Sequence, residues 1–548
     1  MKLKILFGLF IVGIFLLSFK NSNQGDYITL KQFNYPVLKG KENNPVLRMC
    51  YENGFAKKTI ENIKINLLDT ELSDLATVRV YFTGKDSIFR TKKKVLYGKS
   101  ITQFNDLLFK DKIPLSQGKN YFWISYQLSD HCKLNSKVDA GLDFITIDQN
   151  KEYPKEISPK GSLRTGLALQ KHRDNNVHTY RIPGLTSTNK GTLLATYDVR
   201  RDLGRDLQGN IDIGLSRSAN KGESWEPMQI VLDMKTWGGL PEKFNGVSDA
   251  SILVDRNTNT IYVAGLWMHG VINSKGKWIE GLKEKSRDWN HQWRNKGSQP
   301  GLDVKQTSQF IIVKSTDDGK TWSKPINLTK MCKDPKWWLW APAPGHGITL
   351  KNGTLVFPTQ GRDENGKPFS NITYSKDGGI IWHTSNLAFQ NTTESMAVEL
   401  SNGSIMMNIR DNRNHKEKGD QNGRAIFTTE DLGKTWQEHS TSHGALIEPV
   451  CMASIHKHTF KDKKGNQRSI LLYSNPNDKK DRIRQTIKVS FDDGNSWPEK
   501  YWMELDEGKG AGYSCLTSID DNTIGILYEG SQAQLTFQKI RLKELIDK

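Results

Sequence analysis

Two regions of the chain differ in how hydrophobic and polar positions alternate. Residues 26–150 contain short runs of alternating apolar and polar residues, such as ATVRVYFTG (76–84) and NYFWISYQLSD (120–130), separated by Gly, Asn and Asp. A period of two is typical of strands that bury one face. This region therefore predicts short antiparallel strands packed as a small β-sandwich. The charged, proline-bearing stretch 148–162 predicts a linker after it.

From about residue 163 onward, a polar eight-residue motif recurs, and each copy ends in Trp. An alternating strand precedes each copy and another apolar run follows it. Asp or Asn can bond to its own backbone in a turn, and Gly accepts a positive φ, so each copy predicts the turn of a hairpin. The five copies are SANKGESW (218–225), STDDGKTW (315–322), SKDGGIIW (375–382), TEDLGKTW (429–436) and SFDDGNSW (490–497).

The spacing of this motif indicates the architecture. Its closing tryptophans lie 97, 60, 54 and 61 residues apart, and recurrence at roughly 50–60 residues is typical of propeller blades or of a solenoid. The first interval is nearly double the others, which predicts one blade without the motif. About 385 residues at roughly 60 per blade fit six blades. We therefore predict an all-β chain in which a six-bladed β-propeller (163–548) follows the sandwich (26–150).

The first residues predict export. MKLK supplies a positive start, and ILFGLFIVGIFLLSF is an apolar stretch of 15 residues, as in a secretory signal. The stretch is shorter than the ~20 residues that a membrane-spanning helix needs. Residues 1–22 are expected to be a signal peptide or a signal anchor in the membrane, and both stay open because SFKNSN lacks the usual small-residue cleavage pattern. The protein is expected in the periplasm, secreted or on the cell surface.

Composition narrows the classes of function. The chain is 36% hydrophobic and 25% charged, as a soluble globular protein is. Its net charge of +18 favours polyanions, but no zinc-finger, helix-turn-helix or RNA-binding signature accompanies it, so we expect no nucleic-acid partner. The five Cys form no CxxC pair and the twelve His no HExxH motif, so we expect no metal or other cofactor. Cys50 and Cys132 are either a disulfide pair or, as we favour, buried free thiols.

The repeat, together with one further stretch, resembles a known family. The S-x-D-x-G-x-T-W copies resemble the Asp-boxes of sialidases, and TYRIPG (179–184) resembles their Arg-Ile-Pro motif. The resemblance covers about residues 163–548. It implies an exo-α-sialidase, a glycoside hydrolase that removes terminal α-linked sialic acid from glycoproteins, glycolipids or oligosaccharides with retention of configuration. The sandwich is then a candidate carbohydrate-binding module. Two alternatives stay open: a trans-sialidase, and a non-catalytic propeller that binds glycans.

Sialic acid carries a carboxylate on its anomeric carbon, which calls for fixed cations. Arg suits a planar anion because it offers paired N–H donors and a charge that persists at any working pH. The resemblance implies three such arginines. Arg181 in YRIPG and Arg410 in MMNIRD match the first two. The third lies in SNPNDKKDRIRQTIKVS, where position favours Arg482 and Arg484 is the alternative.

Hydrolysis also needs an acid, a nucleophile and a base. In YDVRRDLGRDLQ the resemblance implies Asp206 as the acid/base, with Asp202 as the alternative, and Arg200 at the rim near the sugar hydroxyls. A neutral Tyr approaches the anionic substrate without repulsion, and sialidases are the glycosidases that use Tyr as the nucleophile. Tyr513 in GAGYSC matches this Tyr, and Glu394 in TTESMAVEL matches the Glu that activates it.

Further carboxylates are expected around these groups. A regular strand puts Glu399, the local alternative for the activating Glu, on the opposite face of its strand. The resemblance implies that Glu529 in LYEG bonds to Arg181 and holds it flat, that Asp249 in NGVSDAS lies near the N-acetyl side of the sugar, and that Glu448 in LIEPVC lies close to the Tyr. For Glu529, Asp249 and Glu448, a structural role in fixing a turn or an Arg is an equal alternative to substrate contact.

Overall fold

The computed structural model describes residues 26–54, 57–90, 94–100, 107–207, 210–237, 242, 245–269, 298–304 and 306–547. The expected signal segment 1–22 lies outside these residues. Strands dominate the described ranges, and the two α-helices in them are α1 (Thr329–Cys332) and α2 (Leu542–Ile546). Within the same ranges, no helix has the length and apolar character needed to cross a membrane.

The N-terminal region folds as two sheets that face each other. One sheet has the order β1-β3-β8-β5-β6 and the other β11-β10-β4-β7. Inward-facing residues of both sheets, among them Val78, Phe122, Ile63 and Ile145, form one apolar core. The strands are β1 (Tyr27–Lys31), β2 (Val37–Lys39), β3 (Asn44–Asn53), β4 (Lys58–Asn66), β5 (Leu75–Gly84), β6 (Val95–Ser100), β7 (Leu108–Leu115), β8 (Gly118–Leu128), β9 (Lys137–Val138), β10 (Gly141–Ile147) and β11 (Asn150–Glu152).

The rest of the chain is a succession of strands that pair mainly with their neighbours in sequence. They are β12 (Leu163–Gln170), β13 (Thr179–Ser187), β14 (Leu193–Arg200), β15 (Ile211–Ser218), β16 (Gln229–Leu232), β17 (Asn245–Val254), β18 (Ile261–His269), β19 (Gln309–Ser315), β20 (Ile326–Asn327), β21 (Leu339–Pro342), β22 (Gly345–His346), β23 (Ile348–Thr349), β24 (Leu355–Arg362), β25 (Pro368–Ser375), β26 (His383–Thr384), β27 (Phe389–Gln390), β28 (Thr392–Glu399), β29 (Ile405–Asp411), β30 (Ala425–Thr429), β31 (Gln437–Glu438), β32 (Ser454–Lys461), β33 (Gln467–Pro476), β34 (Gln485–Ser490), β35 (Met503–Asp506), β36 (Ser514–Asp520), β37 (Thr523–Tyr528) and β38 (Leu535–Arg541).

These strands form antiparallel units of the kind found in propeller blades. The units are β13 to β16, β17 to β20, β21-β24-β25-β26, β28 to β31, β32 to β35, and β36-β37-β38-β12. The parallel pair Ile211 and Gly246 joins the first two units into one sheet, so the number of six blades stays a prediction. Strands β14, β15 and β17 are buried at every position, because neighbouring units cover both of their faces.

The last unit is closed by a strand from the other end of this region. Strand β12 pairs antiparallel with β38, with Leu167 opposite Phe537. On its other edge β12 pairs parallel with β2, with Gly166 opposite Leu38. The sandwich region therefore adds a strand to a propeller sheet, and it covers an edge that would otherwise expose backbone hydrogen-bonding groups.

The repeated motif forms the hairpin turns that its residues predict. In the copy 315–322, the Ser315 hydroxyl donates to Asp317 at 2.8 Å, and the Asp317 carboxylate accepts from the Thr321 amide at 2.9 Å. The Gly319 amide, at φ +80°, donates to the Ser315 Oγ at 3.0 Å. The copy 218–225 makes the same bonds with Asn220 in place of Asp, so the turn needs a side-chain acceptor rather than a charge.

Replacement of a glycine in this motif is expected to lower the stability of the fold. Gly222 has φ +85°, and a Cβ there would lie 2.5 Å from the ring of the buried Phe537; Gly191 in the neighbouring hairpin has φ +80° and open space around it. Gly191→Ala should cost about 1 kcal/mol through backbone strain alone. Gly222→Ala should cost about 1–3 kcal/mol more because the core must shift. Thermal unfolding of both variants checks this, and equal losses would contradict the steric argument.

Candidate active site

Two of the strands that carry expected site residues, β13 and β17, contain β-bulges that change the direction of their side chains. Pairing of β13 with β14 shifts between Arg181 and Gly184, and pairing of β17 with β18 shifts between Ser248 and Ser251. At these bulges Ile182 has φ +61° and Asp249 has φ +58°. Positive φ is rare for a β-branched residue such as Ile, and such strain clusters at functional sites. The bulges therefore aim polar side chains out of strands that are otherwise core.

Tyr513, Glu394 and Arg410 form one buried hydrogen-bonded group. The Tyr513 hydroxyl donates to Glu394 Oε1. Arg410 donates through one nitrogen to Glu394 Oε2 at 2.5 Å and to the Tyr513 oxygen at 3.0 Å. Burial, and after it the Glu394 carboxylate, raises the pKa of Tyr513 well above its ordinary value. The phenol is therefore neutral at working pH, and a carboxylate lies ready to accept its proton.

Two more guanidinium groups surround the same Tyr. The guanidinium carbons of Arg181 and Arg482 lie 5.3 Å and 5.5 Å from the centre of the Tyr513 ring. Arg482 donates to the carbonyl oxygens of Ala511 at 2.8 Å and of Val450 at 3.2 Å. The structure thus brings together three arginines from separate parts of the chain around one phenol.

The alternative third arginine, Arg484, lies elsewhere. Its side chain is 54% exposed and pairs with Glu504 at 2.8 Å. It adopts φ +60° immediately before β34 begins, so the chain turns between Arg482 and Arg484. Only Arg482 of this pair reaches the surroundings of Tyr513.

Glu529 connects the Arg-Ile-Pro stretch to the Tyr. One of its oxygens accepts from Arg181 Nε at 2.5 Å and from the Ile182 amide at 2.8 Å, and the other accepts from the Tyr513 amide at 3.0 Å. Its side chain is 1% exposed. The contact with Arg181 is the one expected from the sequence, and it fixes the guanidinium plane through a charge-assisted bond.

Asp206 lies on the exposed side of this group, and Arg200 lies beneath it. Oδ1 of Asp206 is 2.6 Å from Arg200, and the Asp206 side chain is 68% exposed whereas that of Arg200 is fully buried. The expectation that Arg200 lies at the rim is therefore wrong, because its guanidinium is enclosed between two aspartates, Asp198 and Asp206. Partial desolvation raises the pKa of Asp206, but Arg200 and then Arg181 lower it by more, so the group is ionised. The alternative, Asp202, is exposed on the same loop.

Asp249 is buried beside these groups. Its amide donates to Asp198 at 3.2 Å, and the Ser248 hydroxyl lies 3.4 Å from its carboxylate. Burial, followed by the neighbouring Glu394 and Asp198, raises the pKa of Asp249 well above its ordinary value. The pKa values of Asp249 and Asp206 are therefore shifted in opposite directions, although the two carboxyl groups are neighbours.

Two other carboxylates point away from this group. Glu448 is fully buried and pairs with the fully buried Arg424 at 2.6 Å; it also accepts from the Asp411 amide and the Asn414 side chain at 2.8 Å. Saturation of both oxygens favours a structural role for Glu448. Glu399 accepts from a loop amide at 3.0 Å, far along β28 from the Tyr-bonded Glu394.

The described cysteines are free thiols, including Cys50 and Cys132, so the favoured expectation holds. Within the described ranges, no group of three or more His, Cys, Asp and Glu residues could hold a metal ion.

Asp198, which bonds to Arg200, was not among the residues predicted from the sequence. The sequence did contain a signal for it: Asp198 lies two positions before Arg200 on the same strand, and residues two apart on a strand share a face.

The chain matches two family models. One, described as a BNR repeat-like domain, matches residues 191–526, and the other, described as the N-terminal domain of BNR-repeat neuraminidase, matches residues 25–151. A sialidase of Bacteroides fragilis is 40% identical over 100% of this chain and 99% of its own length. The chain belongs to the sialidase family. It is therefore a glycoside hydrolase.

Solved structures agree with this assignment. The Hadza microbial sialidase Hz136 is 35% identical and has a TM-score of 0.83, with 94% of this chain and 100% of that chain covered. A Trypanosoma rangeli sialidase, at 21% identity and a TM-score of 0.54 over 70% of this chain and 58% of its own, shares the fold. The predicted all-β fold, a propeller that follows an N-terminal β-sandwich, is confirmed.

The buried ion pair between Glu448 and Arg424 is expected to stabilise the fold of this sialidase and not to bind substrate. Glu448→Gln leaves the Arg424 charge buried without a counter-ion, which should lower the free energy of unfolding by about 3–5 kcal/mol. Glu504→Gln, which breaks the exposed pair with Arg484, should cost at most about 1 kcal/mol. Thermal unfolding and KM of the folded variants check this. A raised KM with unchanged thermal stability in Glu448→Gln would show instead that Glu448 contacts substrate.

Proposed function

We propose that this sialidase hydrolyses terminal α-linked sialic acid with retention of configuration, with Tyr513 as nucleophile, Glu394 as its base and Asp206 as acid/base. The observation that carries the proposal is the hydrogen bond from Tyr513 to Glu394 beside three guanidinium groups. A carboxylate nucleophile would be repelled by the carboxylate of sialic acid, whereas a neutral phenol is not. A glycan-binding propeller has no need of a phenol paired with a base.

Substrate binding follows from the arginines. Arg181, Arg410 and Arg482 would hold the sialic acid carboxylate, since guanidinium forks match planar anions. Because the same arginines surround the Tyr513 ring, the anomeric carbon next to that carboxylate would lie close to the phenol oxygen. Positioning of the reacting atoms in this way supplies much of the rate enhancement of an enzyme.

In the first step the Tyr513 oxygen attacks the anomeric carbon while its proton passes to Glu394. The bond to the leaving oxygen breaks, and Asp206 donates a proton to that oxygen. In the second step water attacks the same carbon, its proton passes to Asp206, and Glu394 returns a proton to the departing phenol oxygen. Two inversions give net retention.

Charge balance explains how an ionised Asp206 becomes an acid. Arg200, Arg181 and Arg482 lower its pKa in the free enzyme. A bound substrate carboxylate would neutralise part of the field from Arg181 and Arg482, so the pKa of Asp206 would rise when substrate binds. Proton uptake by this exposed carboxylate would then accompany binding, and it would prepare the acid only when the site is occupied.

The proposed substrates are sialylated glycoproteins, glycolipids or oligosaccharides. The net charge of +18 favours approach of such anionic glycans. The positive start and apolar stretch at residues 1–22 support export to where these glycans occur.

Replacement of the phenol is expected to abolish turnover. Tyr513→Phe should lower kcat for 4-methylumbelliferyl sialoside at least ~10³-fold, as loss of a nucleophile does. Tyr473→Phe, the same change at another fully buried Tyr, should leave kcat unchanged. Proton NMR of wild-type turnover should show the α-anomer of sialic acid first.

Several results would overturn parts of this proposal. Initial release of the β-anomer would exclude retention. Sialyllactose formed in the presence of lactose would indicate transfer instead of hydrolysis. A wild-type protein that binds sialosides and releases no fluorophore would be the non-catalytic propeller.

The third arginine can be tested by a matched pair. Arg482→Ala should raise KM for sialosides roughly 10–100-fold, because a charge-assisted bond to the carboxylate contributes about 1.5–3 kcal/mol. Arg484→Ala removes an exposed guanidinium that pairs with Glu504, and it should leave KM unchanged. The reverse ranking in steady-state kinetics would assign the role to Arg484.

A further inference from the structure

Asp198 is a buried carboxylate that the proposed mechanism does not use. Both of its oxygens are engaged: it accepts from Arg200 at 3.1 Å and 2.8 Å, from the Ser248 hydroxyl at 2.6 Å and from the Asp249 amide at 3.2 Å. Its side chain is fully buried. It therefore has no surface on which to touch a substrate, but it binds two segments that line the site.

Arg200 carries this interaction toward the substrate side. Its Nε and one terminal nitrogen bond to Asp198, and the other terminal nitrogen bonds to the Gly204 carbonyl at 3.1 Å and lies 2.6 Å from Asp206. Asp198 and Arg200 both belong to β14 and share one face of it. One guanidinium thus joins a buried carboxylate of the sheet to an exposed carboxylate of the loop.

We propose that Asp198 is a positioning residue that fixes Arg200 and, through it, sets the position and acidity of Asp206. The proposal rests on the proposed role of Asp206 as acid/base. Asp206 belongs to an exposed loop, and a loop carboxylate cannot meet a leaving oxygen reproducibly unless something rigid holds it. The buried guanidinium, itself fixed at both ends, supplies that support.

The charge of Asp198 also matters for the acid. It offsets the charge of Arg200, and without it the full guanidinium charge would act on Asp206. Besides Arg200, the cations acting on Asp206 are Arg181 and Arg482, and the carboxyl groups that interact with it are Asp198 and Asp249. Neutralising Asp198 should therefore stabilise ionised Asp206 and make it a poorer proton donor.

The test is Asp198→Asn, which keeps the size of the side chain and one acceptor oxygen for Arg200 and Ser248. It removes the charge and puts an NH2 donor in place of the oxygen that accepts from the Asp249 amide. Natural sialosides such as sialyllactose need a proton on the leaving oxygen, whereas 4-methylumbelliferyl sialoside has a leaving group that departs with little help. We expect kcat to fall roughly 10–100-fold on sialyllactose, a fraction of what a general acid contributes. On the aryl sialoside kcat should fall less than about 3-fold, with KM little changed.

The pH profile gives a second readout with a defined sign. The alkaline limb of kcat on sialyllactose reports loss of the proton from the general acid in the complex. Because Asp198→Asn would lower the pKa of Asp206, this limb should move to lower pH. A purely structural defect would scale the profile down without moving it.

A matched control lies on the next strand. Asp212 on β15 is a buried carboxylate that bonds to Arg201 at 2.8 Å and 2.6 Å, and Asp212→Asn should leave the ratio of the two kcat values unchanged. If Asp198→Asn does not fold, Ser248→Ala removes a single bond to Asp198 and should change the ratio in the same direction by a smaller factor.

Asp206→Asn separates the two proposals. If this variant shows no preference for the aryl sialoside, the assignment of Asp206 fails. If it shows the preference while folded Asp198→Asn and Ser248→Ala behave like Asp212→Asn, the role of Asp198 is refuted and that of Asp206 stands.

Discussion

The carboxylate of Glu529 is the interaction on which the rest of the site depends. It follows the end of β37, and with two oxygens it holds the guanidinium of Arg181, the amide of the strained Ile182 and the amide of Tyr513. Arg181 and Tyr513 lie 332 positions apart in sequence (513 minus 181). A single buried anion therefore fixes the distance between the first arginine and the phenol. It can do so because β36 and β37 pair with Ser514 opposite Tyr528, which places Tyr513 next to Glu529.

A second constraint is that several arginines must share a small volume. Like charges in a partly desolvated pocket repel one another strongly unless anions lie between them. Arg181 is paired with Glu529, Arg410 with Glu394 and Arg200 with Asp198, whereas Arg482 is held by backbone carbonyls. The pairings of Arg181 and Arg410 engage one nitrogen of each guanidinium, whereas all three nitrogens of Arg200 are engaged. The carboxylates around Tyr513 thus orient the arginines and also make their proximity tolerable.

The sequence was informative where structure depends on neighbours in the chain. The repeated motif predicted its hairpins because Ser, Asp and Gly make every bond of the turn within a few residues. The sequence was less informative about side chains whose exposure depends on distant segments of the chain. Arg200 ends β14 and precedes a polar loop, which suggests an exposed rim, yet the side chain of Arg200 is fully buried beneath Asp206 of that loop. Glu448 resembled a site residue, but its partner Arg424 lies on another segment and encloses it. The side chains of Arg482 and Arg484 lie in different places because the backbone turns between them, where Arg484 has a positive φ. Nothing in the amino-acid sequence of this stretch indicates that turn.

Bulges explain why a repetitive scaffold can carry a non-repetitive site. Arg181 and Glu394 lie near the beginnings of β13 and β28, and Tyr513 directly precedes β36. Regular pairing would alternate such side chains between the two faces of a strand. Ile182 and Asp249 have positive φ at these bulges. Arg181 lies against the Tyr513 ring, and Asp249 lies beside Asp198. Such conformations cost on the order of 1–3 kcal/mol each. The hydrogen bonds that the Ile182 amide donates to Glu529 and the Asp249 amide donates to Asp198 offset that cost. The carboxylates that orient the charged groups are therefore the same ones that stabilise the strained backbone: Glu529 binds Arg181 and the Ile182 amide, and the fully buried Asp198 binds Arg200 and the Asp249 amide.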